Sequence, residues 1–597
     1  MAKEFKNLVE ILEHSVATYK SSPLFGTKTG GSYKWTSYGE FGVQVEQFRG
    51  ALADMGVQKG DTVAVIANNR VEWAVGAYAT YSLGARYCPM YEAQLVKDWT
   101  YILRDSGAKV ALVANQVIYD QVKPLIDELD SLERVIYFDG PRDSEDSYQT
   151  LLDHGAKTPA AVVHPDEDDV CGFIYTSGTT GDPKGVLLSH KNIMSNVNGV
   201  HQLLEIGPDD VSLSFLPWAH SFGQVVELHC LLSMGAALGI AENVNTIIEN
   251  LSEVRPTLLF AVPRIFNRIY NGVQQKMEAE GGIKQMLFTQ GMANSEALRG
   301  MRERGESGGL TAMMNKFYDK LVFSKVRARF GGRLKYAFSG GAALSPEVAR
   351  FIDNLNITVY EGYGLTETSP IATCNSPANR KIGSVGRPIP GVAITIADVE
   401  GYPSGTGEIC VKGPNVMQGY HNLPEQTAKV LDEDGTFHTG DLGRVDEDGF
   451  VWILGRVKEQ YKLENGKYVV PGPIEEQLKL SPYVNQVMVE GTNKAYNVAL
   501  IVVDLENLSN WADKNGVPRD ELLTHPKVKE LYQKEIDRVS ASLKGYERPK
   551  RFALIEEEFS ADNDMLTPKL SVKRRVVMAR YGDMINNLYN DDKTAAA

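Results

Sequence analysis

The stretch Tyr175-Thr176-Ser177-Gly178-Thr179-Thr180-Gly181-Asp182-Pro183-Lys184-Gly185-Val186 constrains this chain more than any other. It follows an apolar run, Val170 to Ile174, that reads as a buried strand. Beyond it, Val186-Leu187-Leu188 leads to Ser189, a candidate N-cap for a helix starting near Lys191. Glycines let backbone N–H groups converge on an anion without Cβ clashes. The hydroxyls of Thr176, Ser177, Thr179 and Thr180 add donors, and Lys184 adds a mobile positive charge, so the stretch reads as a polyphosphate cradle. A solvated turn would share the glycines and hydroxyls, but not the lysine set between a strand and a helix. The common P-loop needs Gly, four residues, then Gly-Lys-Ser/Thr. Here Lys184 follows Pro183 and precedes Gly185, so that loop is a poor match.

A chain of 597 residues is too long for one core and predicts at least two domains. Its net charge of −14 argues against nucleic acid as a partner. No signal peptide follows Met1, and no run approaches the ~18 apolar residues of a membrane span. Cys88, Cys171, Cys230, Cys374 and Cys410 form no CxxC pair, which suggests neither a zinc site nor a disulfide framework. Buried thiols of a cytoplasmic protein are the expected reading.

Apolar strands alternate with helical stretches through the first 270 residues, as in Thr62 to Ile66 followed by a helix around Trp73, and Val110 to Val113 followed by Val117 to Leu129. The pattern predicts a large N-terminal domain of layered α/β subdomains. Residues 385–455 carry short strands and dense turn signals, a small β-rich subdomain. A smaller α+β C-terminal domain is expected over 458–597, leaving 1–457 as the N-terminal domain. Residues 272–335 stand apart, with six methionines, Met277, Met286, Met292, Met301, Met313 and Met314. From Arg299 to Lys335, ten basic residues face three acidic ones, a local +7 within an acidic chain. Two readings stay open: an adaptable basic surface for an anionic membrane or an apolar substrate, or a solvated helical insertion with a core-facing methionine stripe.

A second chemical segment is Tyr360-Glu361-Gly362-Tyr363-Gly364-Leu365-Thr366-Glu367-Thr368. It offers an aromatic for a base, a glycine turn, a hydroxyl, and in Glu367 a carboxylate suited to Mg²⁺, which binds through few carboxylates plus substrate phosphates. Upstream lies Ser339-Gly340-Gly341-Ala342. In Phe437-His438-Thr439-Gly440-Asp441, an aspartate at a turn can accept two ribose hydroxyls. Gly455-Arg456-Val457-Lys458 follows, and Leu216-Pro217-Trp218-Ala219-His220-Ser221-Phe222 places a histidine among aromatics.

Together these segments resemble the adenylate-forming superfamily of acyl-CoA synthetases, luciferases and adenylation domains. The likeness runs from about residue 10 to 580. It includes Thr-Ser-Gly-Thr-Thr-Gly in full, Pro-Lys-Gly at the family spacing, the Tyr-Gly-x-Thr-Glu motif and Thr-Gly-Asp. The form Glu459-Gln-Tyr-Lys462-Leu-Glu-Asn465-Gly466-Lys467-Tyr-Val-Val470 is closest to long-chain acyl-CoA synthetases. The resemblance implies ATP, Mg²⁺, CoA and a fatty acid as reactants. It assigns Thr366 to the α-phosphate, Glu367 to Mg²⁺, Gly340, Gly341 and Ala342 to adenine, and Asp441 and Arg456 to ribose. It also makes Lys458 a hinge between domains, brings Lys462 to the AMP phosphate in one domain orientation, and sets His220 beside the acyl carboxylate. The family's C-terminal lysine stands four residues after the threonine of Thr-Pro; here Thr567-Pro568 puts Ser571 there. Lys569 is then the first candidate for that role and Lys573 the second. The expected activity is long-chain fatty acid–CoA ligation. A fatty acyl-AMP ligase loading a carrier protein, and a weak acyl- or nucleotide-binding protein, are the alternatives.

Overall fold

The apolar run before the glycine-rich stretch is the centre of a strand, Val170–Thr176, in a computed structural model that describes residues 3–176, 182–560, 562–567 and 571–590, the Glu303 side chain excepted. The residues after the stretch do not enter a helix at once. They form an antiparallel partner, Lys184–Ser189, with Thr176 opposite Lys184. The helix His190–Leu203 follows, one residue earlier than Lys191. Ser189 caps it through a reciprocal box: its Oγ accepts the Asn192 N–H, and Asn192 Oδ1 accepts the Ser189 N–H. The glycine-rich stretch therefore connects two antiparallel strands in the chain.

Among the described residues this hairpin belongs to a seven-stranded sheet. Its order is Gly419–Tyr420, Lys184–Ser189, Val170–Thr176, Arg86–Met90, Thr62–Ile66, Ala108–Val113 and Arg134–Tyr137. The last five run parallel, and the central pair, Thr62–Ile66 and Ala108–Val113, is nearly continuous in Val, Ile, Ala and Leu, as strands covered on both faces are. A nine-stranded sheet holds the parallel neighbours Val211–Ser214, Leu258–Ala261, Tyr336–Ser339 and Val359–Gly364. Their register sets Ser339 beside Glu361. The carboxyl ends of the strands, where ligands bind in open α/β sheets, thus lie side by side. The expected β-rich subdomain is a four-stranded antiparallel sheet, in the order Ala393–Asp398, Thr406–Lys412, Phe437–Val445 and Val451–Arg456. Beyond it come the short pair Tyr461–Lys462 and Tyr468–Val469, then a three-stranded sheet of Val484–Glu490, Val498–Val503 and Arg551–Ile555.

The methionine-rich segment is the connection between Leu258–Ala261 and Tyr336–Ser339. These are adjacent parallel strands, and such strands need a long crossover. It begins earlier than residue 272, with helix Pro263–Glu280, and continues through Gly282–Glu303, Gly309–Tyr318, Asp319–Phe323 and Ser324–Ala328. Its methionines divide between core and surface. Met277, Met292 and Met314 pack on a core that also takes in Phe266, Ile269, Val273, Leu478, Val503 and Tyr532, so the crossover and the C-terminal domain share apolar contacts. Met286 and Met313 are exposed. Arg327 is paired with Asp319 at 2.6 and 2.9 Å, and Arg299 lies near Asp353 at 3.8 Å, so part of the positive charge is spent internally.

Glu227 is fully buried in the helical segment Phe222–His229. Its carboxyl oxygens meet Ser212 Oγ and Ser214 Oγ at 2.7 Å each. Ser214 Oγ also takes bonds from Trp218 Nε1 and Asn69 Nδ2, and Asn69 Oδ1 accepts the Trp218 N–H at 2.8 Å. This network fixes the turn leading to His220. Burial pushes the Glu227 pKa up from 4.5 to about 8, against the three hydrogen bonds that favour its charged form. The folded chain therefore keeps a proton that the unfolded chain releases, so stability falls as pH rises between those two values. Urea unfolding across that window should show this decline, and Glu227→Gln should flatten it. A variant with the same slope as the parent would contradict a protonated Glu227.

Candidate active site

Thr366–Thr368 is a single tight turn at the end of strand Val359–Gly364. Thr366 is buried and Glu367 half-buried. The turn is pinned from below by two buried asparagines. Asn196 Oδ1 accepts the Ile371 N–H at 2.6 Å, and Asn415 Nδ2 donates to Thr368 O and Ile371 O at 3.2 and 3.0 Å. Glu367 Oε1 accepts the Tyr420 hydroxyl at 2.9 Å, and Lys184 Nζ stands 4.8 Å from the centre of the Tyr420 ring. Tyr420 reaches this place because Gly419–Tyr420 pairs with Val186–Leu187 beside the glycine-rich stretch. Burial, then the Glu367 charge, pushes the Tyr420 pKa well up, so the phenol stays a donor. Lys184 is pulled below the ordinary lysine range, first by burial. Glu367 opposes that shift, and Lys458 and Lys429 add to it. Three ammonium groups near one carboxylate form a field that favours a polyanion with a bound cation.

The second half of the site is a chain of three side chains. Tyr363 donates its hydroxyl to Asp441 Oδ2 at 2.6 Å, and Arg456 Nε meets Asp441 Oδ1 at 2.8 Å. Asp441 and Arg456 face each other on neighbouring strands. Thr406–Lys412 and Phe437–Val445 lose register between Glu408 and Cys410, so Thr439, Gly440 and Asp441 bulge from the ladder. Bulges re-aim side chains at sites. Gly440 takes φ +70° there, which suits glycine. Asp441 is buried, and burial raises its pKa while Arg456 holds it down. Each oxygen keeps a second lone pair for a further donor.

The nucleotide candidates at the strand ends fall into two groups. Gly340 and Gly341 follow strand Tyr336–Ser339, and Ala342 comes next. A Cβ on Gly340 would come within 3.2 Å of the Phe222 ring, so a larger residue would need that ring to shift by a few tenths of an ångström. Gly362 and Gly364 line the end of the neighbouring strand. Glu361 turns inward, where its carboxylate accepts the Gly383 N–H at 3.3 Å and burial pushes its pKa up to about 7. His220 lies close by: Ser221 Oγ is 3.4 Å from Thr366 Oγ1. His220 Nδ1 accepts the Phe222 N–H at 3.1 Å, which puts the proton of the neutral ring on Nε2. Trp218 is core, fully buried against Trp73 and Phe25.

Other candidates lie elsewhere or outside the described residues. Ser177, Gly178, Thr179, Thr180 and Gly181 fall outside them, while Thr176 ends its strand. Lys458 is exposed in the turn after Val451–Arg456. Lys462 places Nζ 5.3 Å from the centre of the Tyr468 ring, on the short hairpin of the C-terminal domain. The Thr567 N–H reaches Ser571 O, and the Ser571 N–H reaches Thr567 Oγ1. Lys569, between them, is outside the described residues. Lys573 is spoken for, its Nζ 2.5 Å from Asp564 Oδ1. Tyr420, Asn196 and Asn415 were not legible as site residues. The signal for Tyr420 is a strand pairing between distant segments, which no local motif encodes.

The AMP-binding enzyme family matches residues 12–421, and the AMP-binding enzyme C-terminal domain matches residues 458–593. The peroxisomal long chain acyl-CoA synthetase 6 of Arabidopsis thaliana is 31% identical, over 98% of this chain and 87% of its own. Long-chain-fatty-acid–CoA ligase 1 of Homo sapiens is 31% identical with the same coverage of both chains. Among solved structures, the adenylation domain of a carboxylate reductase from Mycobacterium chelonae superposes with a TM-score of 0.79 at 25% identity, over 98% of this chain and 91% of that one. ATP-bound MatB from Rhodopseudomonas palustris shares the fold, with a TM-score of 0.71 at 24% identity over 97% and 99% of the two chains. The chain belongs to the AMP-binding enzymes, the adenylate-forming superfamily that its motifs resemble.

Proposed function

We propose that this chain is an ATP-dependent long-chain fatty acid–CoA ligase, an AMP-forming acid–thiol ligase. The observation that carries the reading is the juxtaposition of Glu367, Tyr420 and Lys184 with the Tyr363–Asp441–Arg456 chain. A free carboxylate resists a thiol because its leaving group would be oxide. In the first step a fatty-acid carboxylate oxygen attacks the α-phosphorus of ATP, and pyrophosphate leaves. In the second the CoA sulfur attacks the acyl carbon, the C–O bond to AMP breaks, and acyl-CoA forms. Lys184 and the 176–181 stretch hold the β- and γ-phosphates, Thr366 the α-phosphate, and Asp441 with Arg456 the ribose. The Gly340–Ala342 and Glu361–Gly364 strand ends take the adenine, with Glu361 in a supporting place beneath it. The donor set fits Mg²⁺: one half-buried carboxylate, Glu367, oriented by a phenol. When bound there, the cation neutralises charge growing on the phosphates. His220 orients the acyl carboxylate.

The chain divides at Lys458 into an N-terminal domain, 1–457, and a mobile C-terminal domain, 458–597. The turn at Lys458 is exposed, and a polar contact between the domains, Gln275 Nε2 to Asn507 Oδ1 at 3.2 Å, is exposed; rotation also has to part the apolar contacts that the crossover shares with the C-terminal domain. Lys569 is the first candidate to complete the adenylation site and Lys573, whose Nζ meets Asp564 Oδ1, the second. Lys462 approaches the AMP phosphate after rotation. Mass spectrometry of products from ATP, Mg²⁺ and a panel of fatty acids, with and without CoA, tests the reading. Acyl-CoA should form only with CoA. Acyl-AMP accumulating regardless of CoA would favour a carrier-loading ligase, and no pyrophosphate at all would favour a binding protein. In the same assay Lys569→Ala should lose acyl-AMP formation and Lys458→Pro should slow only thioester formation. Loss in Lys573→Ala alone would reverse the lysine assignment.

The chain works in the cytoplasm, and the crossover helices give it a place to rest on a membrane. No described helix is long and apolar enough to cross one. Leu310, Met313, Phe317 and Leu321 are 70, 61, 49 and 38% exposed and spaced three and four apart, a continuous apolar row on one helical face. Lys316 and Lys320 are exposed beside it. An apolar row flanked by lysines suits an anionic lipid surface. Vesicles containing phosphatidylglycerol should co-float the protein, and Leu310→Ser with Phe317→Ser should release it. Equal flotation with neutral vesicles, or no loss in the variant, would count against this contact.

A further inference from the structure

We propose that Glu408, Cys410 and His438 form a binding site for a soft divalent cation of the zinc type, separate from the Mg²⁺ carboxylate at Glu367. Cys410 and His438 are direct partners across two antiparallel strands, and Glu408 lies two residues before Cys410. Their ligand atoms all fall within 4.8 Å of one another. Sγ of Cys410 is 3.5 Å from Nδ1 of His438, and that nitrogen is 3.1 Å from Oε2 of Glu408. At zinc bond lengths of about 2.0–2.3 Å, those separations subtend roughly 100–110° at a central ion, close to tetrahedral. A fourth position would fall to water. Thiolate, imidazole and one carboxylate are a donor set that favours zinc over magnesium.

The surroundings support a cation here. His438 Nε2 lies 3.1 Å from Asp432 Oδ2, an imidazole–carboxylate contact of the kind that orients metal-binding histidines and leaves the other nitrogen to the metal. His438 stands between two carboxylates, Glu408 at Nδ1 and Asp432 at Nε2, which favour a positive charge at this place. A second proton on the ring is the competing occupant. The other oxygen of Glu408 accepts the Gly440 N–H at 2.8 Å, at the bulge that presents Asp441. A bound ion would therefore fix the carboxylate that holds the ribose turn in place.

The test uses the purified full-length chain, stripped with a chelator and titrated with zinc alone in excess Mg²⁺, with cobalt as a spectroscopic substitute. One zinc per chain is expected. The cobalt form should show a thiolate-to-metal charge-transfer band, and zinc should raise Tm. Cys410→Ser should remove the band and weaken binding at least about tenfold, and His438→Asn should weaken it similarly. Both variants should keep the Tm of the metal-free parent, which separates loss of the ion from loss of the fold. Failure to take up zinc would leave the proton-bridged pair as the occupant and overturn the proposal. So would zinc uptake that Cys410→Ser leaves unchanged, because the ion would then sit elsewhere.

Discussion

The pairing of Gly419–Tyr420 with Val186–Leu187 is the constraint on which the site depends. It lays a strand from the far side of the chain along the hairpin that carries the glycine-rich stretch. Two consequences follow from one register. The Tyr420 ring comes under Lys184, and its hydroxyl meets Glu367. A cation over an aromatic face and a phenol against a carboxylate are modest interactions alone, each about 1 kcal/mol or somewhat more. Here they share one rigid side chain, so the lysine and the carboxylate are held at a set distance. The same segment is anchored a few residues earlier, where Asn192 Nδ2 donates to Pro414 O and Val416 O at 2.9 and 2.8 Å. Asn192 also caps the helix after the hairpin, so hairpin, helix and Tyr420 segment are tied at one residue.

Charge is arranged to match. Lys184 is depressed by burial and by neighbouring lysines, with a single carboxylate to offset them. Such a cluster is unfavourable on its own and is relieved by a polyanion. Asp441 shows the reverse arrangement: burial pushes its pKa up, and Arg456 with Tyr363 offsets part of that shift. A carboxylate so held remains an acceptor at a place where water alone would not keep it ordered.

Much of this was legible in the sequence, because the chemistry is local. The glycine-rich stretch, Thr366-Glu367, Asp441 and Arg456 each sit in a short motif whose residue types state their use. Layered α/β order could be read from runs such as Thr62 to Ile66, which is fully buried as expected of a parallel strand. What escaped was carried by tertiary pairing. The strand Lys184–Ser189 looked like a lead into a helix, since a short apolar run has no period that separates the two. The methionine-rich segment looked like an insertion, yet it is the crossover that two adjacent parallel strands require. The Glu408–Cys410–His438 cluster was invisible to a search by cysteine spacing because its ligands come from two strands.

On the proposed reading, Glu367 brings a divalent cation to ATP. The direct measurement is anomalous diffraction from crystals grown with Mn²⁺ and a non-hydrolysable ATP analogue, for the parent and for Glu367→Gln. The account predicts one Mn²⁺ bridging the Glu367 carboxylate and the phosphates, with the Tyr420 hydroxyl retained on that carboxylate, and loss of the peak in the variant. An ion held by phosphates alone, or one that survives Glu367→Gln unchanged, would contradict it.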